Sequence, residues 1–359
     1  MVPAHQHPGD YQNNNKGAKA SNTFTVLINF PLEAELARRI ASVDPRVRVA
    51  TTVEPEHGDA RPGAGAGWKG VEGERLDALL SEADVLFTFG VPAEWLGKMP
   101  RLKWVQLASA GVDHLVRAGI LRERPDLLVT TASGVHEVPI SEHILGMILY
   151  FGRGFDRAVQ NQRLHKWERY SLGEAYGKTV CLVGYGPIAR RTAALCKALG
   201  MRVLAVRASL AEPQVGSEAV ERFYPVTGLN AALAESDYVV VAAPRTPLSE
   251  GMIGRAQFAA MKPGAVLVNI SRGALVDEEA LVEALREGRL AGAGLDVFTQ
   301  EPLAESSPLW DMPNVLITPH TAGSSPHYNE RATGLFSDNL ARFLRGEPMR
   351  NLVNAERGY

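Results

Sequence analysis

Short apolar runs alternate with amphipathic stretches along most of this chain, and the alternation reads as repeated strand–helix units. The first run, TFTVLINF, predicts a strand opening near Phe24, and Leu36 and Ile40 give the next segment an apolar helical face. Glu56–Glu74, rich in Gly, Ala and charge, is expected to be a loop. The rhythm continues through LDALLSEA (helix), DVLFTFG (strand), a helix near Pro92–Met99, LKWVQLAS (strand) and a helix from about Gly111. Such βαβ succession predicts a parallel sheet.

After Val129 the rhythm restarts and runs further. A long apolar-faced helix is expected over Pro139–Phe155, followed by the polar, aromatic stretch NQRLHKWERYSLGEAYG. Six strand-like runs come next: KTVCLVG, RVLAVR, DYVVVAAP, AVLVNISR, GAGLDVF and VLITPH, which predict a doubly wound sheet. An amphipathic helix over Glu330–Arg345 closes the pattern. At 359 residues the chain exceeds one ordinary core. The expected fold class is α/β: two Rossmann-like or flavodoxin-like domains with parallel sheets and a cleft between them.

Composition narrows the partners. A net charge of −2 asks for neither nucleic acid nor an anionic membrane, so an anionic ligand must find positive charge locally. The longest apolar runs are broken by charge or Gly before they reach spanning length, so no membrane partner is expected. Residues 1–21 lack the apolar core of a signal peptide and the arginines of a transit peptide. They read as a disordered tail in which His5 and His7 are solvated, and a cytoplasmic location is expected. Cys181 and Cys196 read as buried packing residues, and no zinc-type spacing or other metal site is expected.

Candidate chemistry begins at Gly184-Tyr185-Gly186-Pro187-Ile188-Ala189, which follows a strand and opens a helix. The first glycine permits the tight turn, the second lets a diphosphate approach the backbone, and Ala189 lets helix and strand pack closely. The diphosphate then rests on the positive end of the helix. Pro187 suits the first helical position but removes one backbone donor there. The next strand ends at Arg207, about twenty residues on, where an NAD-preferring site would place a carboxylate. A guanidinium attracts a 2′-phosphate instead, so Arg207 with Ser209 favours NADP(H), with NAD(H) as the second candidate.

Three further residues stand at the ends of successive predicted strands, where open α/β sheets bind ligands. Arg272 follows AVLVNIS, Glu301 lies beyond LDVF, and His320 follows VLITP. Together they supply what hydride transfer to a 2-oxo acid requires. A cation holds the carboxylate, an acid delivers a proton to the carbonyl oxygen, and a carboxylate keeps that acid charged and oriented.

These residues, with the blocks TASGVHEVPIS, VNISRGALVDEEAL, GAGLDVFTQEPL and PLWDMPNVLITPHTAG, resemble the D-isomer-specific 2-hydroxyacid dehydrogenase family. The similarity is greatest to its glyoxylate/hydroxypyruvate reductase-like members and spans most of residues 100–325. It implies reduction of small 2-oxo acids to D-2-hydroxy acids. Arg272 would bind substrate, His320 would be the proton donor of reduction, and Glu301 its partner. Asp296 would contact the nicotinamide carboxamide, and Pro244, Thr246 and Ile270 would line the cofactor. Backbone amides at Gly90 and Val91 would complete the carboxylate site, by looser alignment. The resemblance also implies a homodimer formed through the cofactor domain. A substrate-binding domain would comprise residues 22–129 plus 325–359, and a dinucleotide-binding domain residues 130–324. A formate-oxidising branch carries glutamine where this chain has Glu301. Two other readings are phosphorus oxyacid oxidation, which uses a similar triad, and a nicotinamide-sensing corepressor-like scaffold. His143, Trp167 and Trp310 read as packing residues. His114 and His165 could face the cleft but have no compelling partner in sequence.

Overall fold

The structure is a computed structural model, and it describes residues 23–53 and 70–354. The expected tail, with His5 and His7, and most of the expected loop over Glu56–Glu74 lie outside those residues. At the end of that loop a helix, Gly73–Glu82, begins earlier than expected.

The first sheet contains β1 (Phe24–Ile28), β2 (Val47–Thr51), β3 (Val85–Thr88), β4 (Trp104–Leu107) and β5 (Leu128–Thr130). Its order is β2-β1-β3-β4-β5 and every pairing is parallel. Strand order reverses between β1 and β3, the flavodoxin-like switch point. The hydrophobic pattern did not reveal β2. It is a half-exposed edge strand with an exposed Arg48 at its second position, so its apolar signal is diluted.

The second sheet contains β6 (Thr179–Val183), β7 (Arg202–Val206), β8 (Gln214–Val215), β9 (Arg222–Tyr224), β10 (Tyr238–Val241), β11 (Ala265–Asn269), β12 (Leu290–Leu295) and β13 (Val315–Ile317). The order is β13-β12-β11-β10-β6-β7-β9-β8, with only the β8–β9 pair antiparallel. Its switch point lies between β6 and β10, as in dinucleotide-binding sheets. The six expected strands are present. The short strands β8 and β9 extend the sheet beyond β7, and two or three residues carry too little periodicity to be read from sequence. Every residue of β6, β10 and β11 is buried, as a parallel sheet covered on both faces requires.

One face of this sheet is covered by the helix Glu137–Gly152, which buries Ile140, Ile144, Met147 and Ile148. The chain does not continue it to Phe155 as expected. Gly154 adopts φ 63°, and a second helix, Phe155–Arg163, starts beyond it. The last helix, Tyr328–Arg345, returns to the first sheet. There Phe336 stacks on Phe87 at 4.5 Å and on Trp104 at 5.2 Å. Truncating such a fully buried ring typically costs about 3–5 kcal/mol.

The two switch points face one another. Asn29, Phe30 and Phe89, beyond β1 and β3, line the same cavity as Gly184–Pro187 and Ala242–Pro244, beyond β6 and β10. Its volume is about 2500 Å³. No described helix is long and apolar enough to cross a membrane.

Candidate active site

The strand–turn–helix at Gly184 is built for close backbone approach. Gly184 has φ +96°, and a Cβ there would lie 2.6 Å from the Ala243 nitrogen, so the β6 and β10 ends could not pass with a side chain between them. A Cβ on Gly186 would meet nothing within 4 Å, which leaves this backbone open on the cavity side. Pro187 is the first residue of the helix Pro187–Ala198, where its missing N–H costs little. Ala189 is buried against the sheet. An extended dinucleotide fits this cradle: the turn is open, the helix end carries partial positive charge, and the cavity is large.

Arg207 and Ser209 line the cavity just beyond β7. Arg207 is half-buried, its backbone N–H donates to the Tyr224 carbonyl at 2.9 Å, and its guanidinium lies 5.3 Å from the Phe223 ring centroid. Pro244, Thr246, Ile270 and Asp296 line it as well. The Thr246 N–H donates to Ser249 Oγ at 2.8 Å, which fixes the turn after β10.

Arg272, Glu301 and His320 converge from three strand ends. Asn269, buried at the end of β11, clamps the turn that carries Arg272: it accepts from the Ser271 N–H at 3.1 Å and donates to the Arg272 carbonyl at 3.1 Å. Arg272 lines the cavity, and its Nη1 donates to the Ser271 carbonyl at 2.8 Å. His320, also on the cavity, donates from Nδ1 to Glu301 Oε2 at 2.7 Å. Glu301 Oε1 in turn accepts from the Phe298 N–H at 3.0 Å, so this carboxylate is held at both oxygens. With Nδ1 engaged, Nε2 is the ring nitrogen left to meet a substrate.

Asp296 does more in the structure than its sequence position suggested. It is 1% exposed, and Oδ1 accepts from Thr318 Oγ1 at 2.6 Å and from the Thr321 N–H at 2.8 Å, while Oδ2 accepts from the Ala322 N–H at 3.0 Å. These bonds bracket His320 on both sides and hold its loop, in which His320 takes φ 54°. His143, read from sequence as packing, pairs through Nε2 with Thr318 Oγ1 at 3.1 Å and so extends the same network.

Several expected positions fall elsewhere. Gly90 and Val91 are not among the residues lining the cavity. The Gly90 N–H donates to Thr88 Oγ1 at 3.2 Å, and Val91 is buried among apolar residues of the first sheet. Residues 109–112, after β4, and Phe89 form the wall in their place. His114 packs against Gly90, and His165 is exposed; neither lines the cavity. Trp167 is not a packing residue within this chain, being 94% exposed, and Trp310 is half exposed with its indole N–H donating to the Ala304 carbonyl. Cys181 and Cys196 are buried and unpaired as expected, and burial pushes both thiols up to about 12. Among the described residues no cluster of His, Cys, Asp and Glu is placed to hold a metal ion.

One cavity residue was not singled out in the sequence. His136 precedes the helix Glu137–Gly152 and lies beside the Tyr328 ring, 5.2 Å between centroids. Its Nδ1 is buried without a hydrogen-bond partner. Burial, helped by the nearby Arg272 charge, pushes its pKa down to about 4, so it is a neutral ring at physiological pH. No sequence periodicity marks this position, because its neighbours come from distant segments.

The chain is similar to proteins of one family. The family described as "D-isomer specific 2-hydroxyacid dehydrogenase, NAD binding domain" matches residues 145–322. The chain is 36% identical to a glyoxylate reductase of Korarchaeum cryptofilum over 290 residues, 78% of this chain and 83% of that protein. It is 35% identical to a D-3-phosphoglycerate dehydrogenase of Archaeoglobus fulgidus over 268 residues, 74% of this chain. The chain spans about half the length of the phosphoglycerate dehydrogenases it matches, 49% in that case. Among solved structures, an NADPH-dependent glyoxylate/hydroxypyruvate reductase from Sinorhizobium meliloti, in complex with NADP and sulfate, superposes with a TM-score of 0.77 at 29% identity, covering 94% of this chain and 100% of that one. A D-isomer specific 2-hydroxyacid dehydrogenase from Xanthobacter autotrophicus, in complex with NADPH and MES, gives 0.77 at 29% identity over 93% and 99% of the two chains.

Proposed function

The chain belongs to the D-isomer specific 2-hydroxyacid dehydrogenase family, and from that premise we propose that it reduces small 2-oxo acids, such as glyoxylate and hydroxypyruvate, to D-2-hydroxy acids with NADPH. The observation that carries this reading is the His320–Glu301 pair, 2.7 Å apart, on the cavity that Arg272 also lines. Residues 22–129 with 325–359 act as the substrate domain and residues 130–324 as the cofactor domain.

When bound, the nicotinamide supplies hydride. The open turn at Gly184–Gly186 and the amides of Ile188 and Ala189 would hold the diphosphate of the dinucleotide. Arg207 and Ser209 receive the 2′-phosphate, and a guanidinium at that place favours NADPH over NADH. Pro244, Thr246 and Ile270 wall the site. Arg272 binds the substrate carboxylate and draws charge toward the carbonyl oxygen. His320 holds a proton at Nε2 and delivers it to that oxygen as the alkoxide forms. Glu301 keeps the ring oriented through Nδ1. Asp296 keeps the His320 loop in place through its three hydrogen bonds.

The protein acts in the cytoplasm as a homodimer. Supporting the second copy, Phe155, Leu164, Trp167, Leu172 and Tyr176 expose apolar surface along one short stretch of the cofactor domain. The decisive test follows NADPH and NADH oxidation by absorbance against a panel of 2-oxo acids. Oxidation of NADPH that depends on glyoxylate or hydroxypyruvate supports the reading; no oxidation with any member of the panel overturns it.

A further inference from the structure

Four rings form a continuous run along the cavity wall. His136 lies 5.2 Å from Tyr328, Tyr328 stacks on Phe89 at 5.8 Å, and Phe89 meets Phe30 at 5.2 Å. All four line the cavity. His136 and Phe89 are half-buried and face it, while Phe30 and Tyr328, 2% and 5% exposed, close the wall behind them. The Tyr328 hydroxyl is turned away and donates to the Ala108 carbonyl, so its ring adds apolar surface.

The run begins beside the catalytic groups. A Cβ on Gly323, three residues past His320, would lie 2.9 Å from His136 Cδ2, and the Arg272 charge is close enough to act on the His136 ring. A substrate whose carboxylate sits on Arg272 and whose carbonyl faces His320 therefore has this wall close to its remaining carbons. The wall carries no charge at neutral pH, because His136 is held neutral by burial and by Arg272. Val112, also on the cavity, continues its apolar character.

We propose that the ring run His136–Tyr328–Phe89–Phe30 is a side-chain subsite that selects 2-oxo acids bearing an apolar aryl or branched alkyl group over glyoxylate and over phosphorylated analogues. The proposal rests on the assignment of Arg272 and His320 above. Its physical basis is differential burial: each added methylene in an apolar pocket is worth roughly tenfold or more in specificity. A phenyl or isobutyl group brings several such carbons, and flat rings pack offset or edge-on against aromatic walls. A phosphate placed there would lose its water without gaining a cation from these four rings.

The test compares kcat/KM for glyoxylate, hydroxypyruvate, phosphohydroxypyruvate, 4-methyl-2-oxopentanoate and phenylpyruvate, with NADPH, in the unaltered protein and in Phe89→Ser and Phe89→Leu. The expected result is at least tenfold higher kcat/KM for phenylpyruvate or 4-methyl-2-oxopentanoate than for glyoxylate. Phe89→Ser is expected to lower that ratio about tenfold, through loss of kcat/KM for the apolar substrates. Phe89→Leu keeps the apolar packing and guards against a folding defect; it is expected to retain the alkyl substrate and lose mainly the aryl one. Preference for glyoxylate, hydroxypyruvate or the phosphorylated acid in the unaltered protein overturns the subsite while leaving the reduction itself intact. An unchanged ratio in both variants overturns it equally. Absence of turnover with every acid overturns the assignment of function and the subsite together.

Discussion

Adding a single methyl group at Gly273 tests how the Arg272 turn and the Glu301 loop are held together. A Cβ on Gly273 would lie 1.9 Å from the Phe298 carbonyl carbon, 2.1 Å from its oxygen and 2.2 Å from the Thr299 nitrogen. Carbon atoms rest about 3.5–4.0 Å apart, so one of the two backbones must retreat by about 1.5 Å or more. Neither has slack. The glycine side is clamped by Asn269 through Ser271 and Arg272, and the Phe298 N–H anchors Glu301 Oε1. Gly273→Ala therefore separates the Arg272 guanidinium from the Glu301 carboxylate that holds His320. Overpacking of this kind costs about 1–3 kcal/mol of stability. A displacement of about 1 Å in a reacting constellation costs about a hundredfold in rate. The assay is steady-state NADPH oxidation with the best 2-oxo acid, beside urea unfolding of the same preparation. The expected result is a fall of about a hundredfold in kcat/KM with a lower unfolding midpoint. Gly146→Ala is the control: that glycine lies within the helix Glu137–Gly152 and a Cβ there meets nothing within 4 Å, so the change should be neutral or stabilise by up to about 1 kcal/mol. If Gly273→Ala kept wild-type kcat/KM and midpoint, the close approach of these two segments would be wrong.

Removing the proposed proton donor with His320→Ala should lower kcat about 100- to 10,000-fold while NADPH affinity, read by fluorescence titration, holds within about threefold; intact turnover would end the donor role. Arg207→Asp replaces attraction for a 2′-phosphate by repulsion and should lower the NADPH-to-NADH ratio of kcat/KM at least about tenfold. A ratio that does not move removes Arg207 from cofactor selection. His136 predicts a pH dependence of stability. Its folded pKa of about 4 lies below the unfolded value of 6.5, so between these limits the unfolded chain binds more protons and stability falls as the pH falls. The full effect is about 3 kcal/mol. Urea unfolding at pH 7 and pH 4.5 should show His136→Phe losing less stability on acidification than the unaltered protein. Parallel losses would mean that His136 is not held neutral.

Much of the cofactor side was legible because its signals are local. The runs KTVCLVG, DYVVVAAP and AVLVNISR are apolar without interruption, since both faces of a central parallel strand are covered. Gly184, Pro187 and Ala189 announce a tight turn, a helix start and a close packing within six residues. Arg272, Glu301 and His320 could be proposed together because each ends a strand of the same sheet. The edge strands β2 and β8, and β9 beside β8, have weak signals because they are short or half exposed and carry charged residues such as Arg48 and Arg222.

The sequence by itself determined two doubly wound units, a nucleotide cradle and three chemically matched side chains, because chain-local rules govern strand ends and glycine turns. Only the tertiary structure decided which groups line the cavity beside them. Phe30, Phe89, His136 and Tyr328 come from the ends of β1 and β3, the start of one helix and the start of the last one, segments that approach only when the final helix docks on the first sheet. The same docking and switch-point geometry left Gly90 and Val91 off the cavity, and it tied Asp296 to the His320 loop. Contacts between residues up to some three hundred positions apart leave no periodic trace in the sequence, because burial there depends on how layers meet rather than on where a residue falls within its own helix or strand.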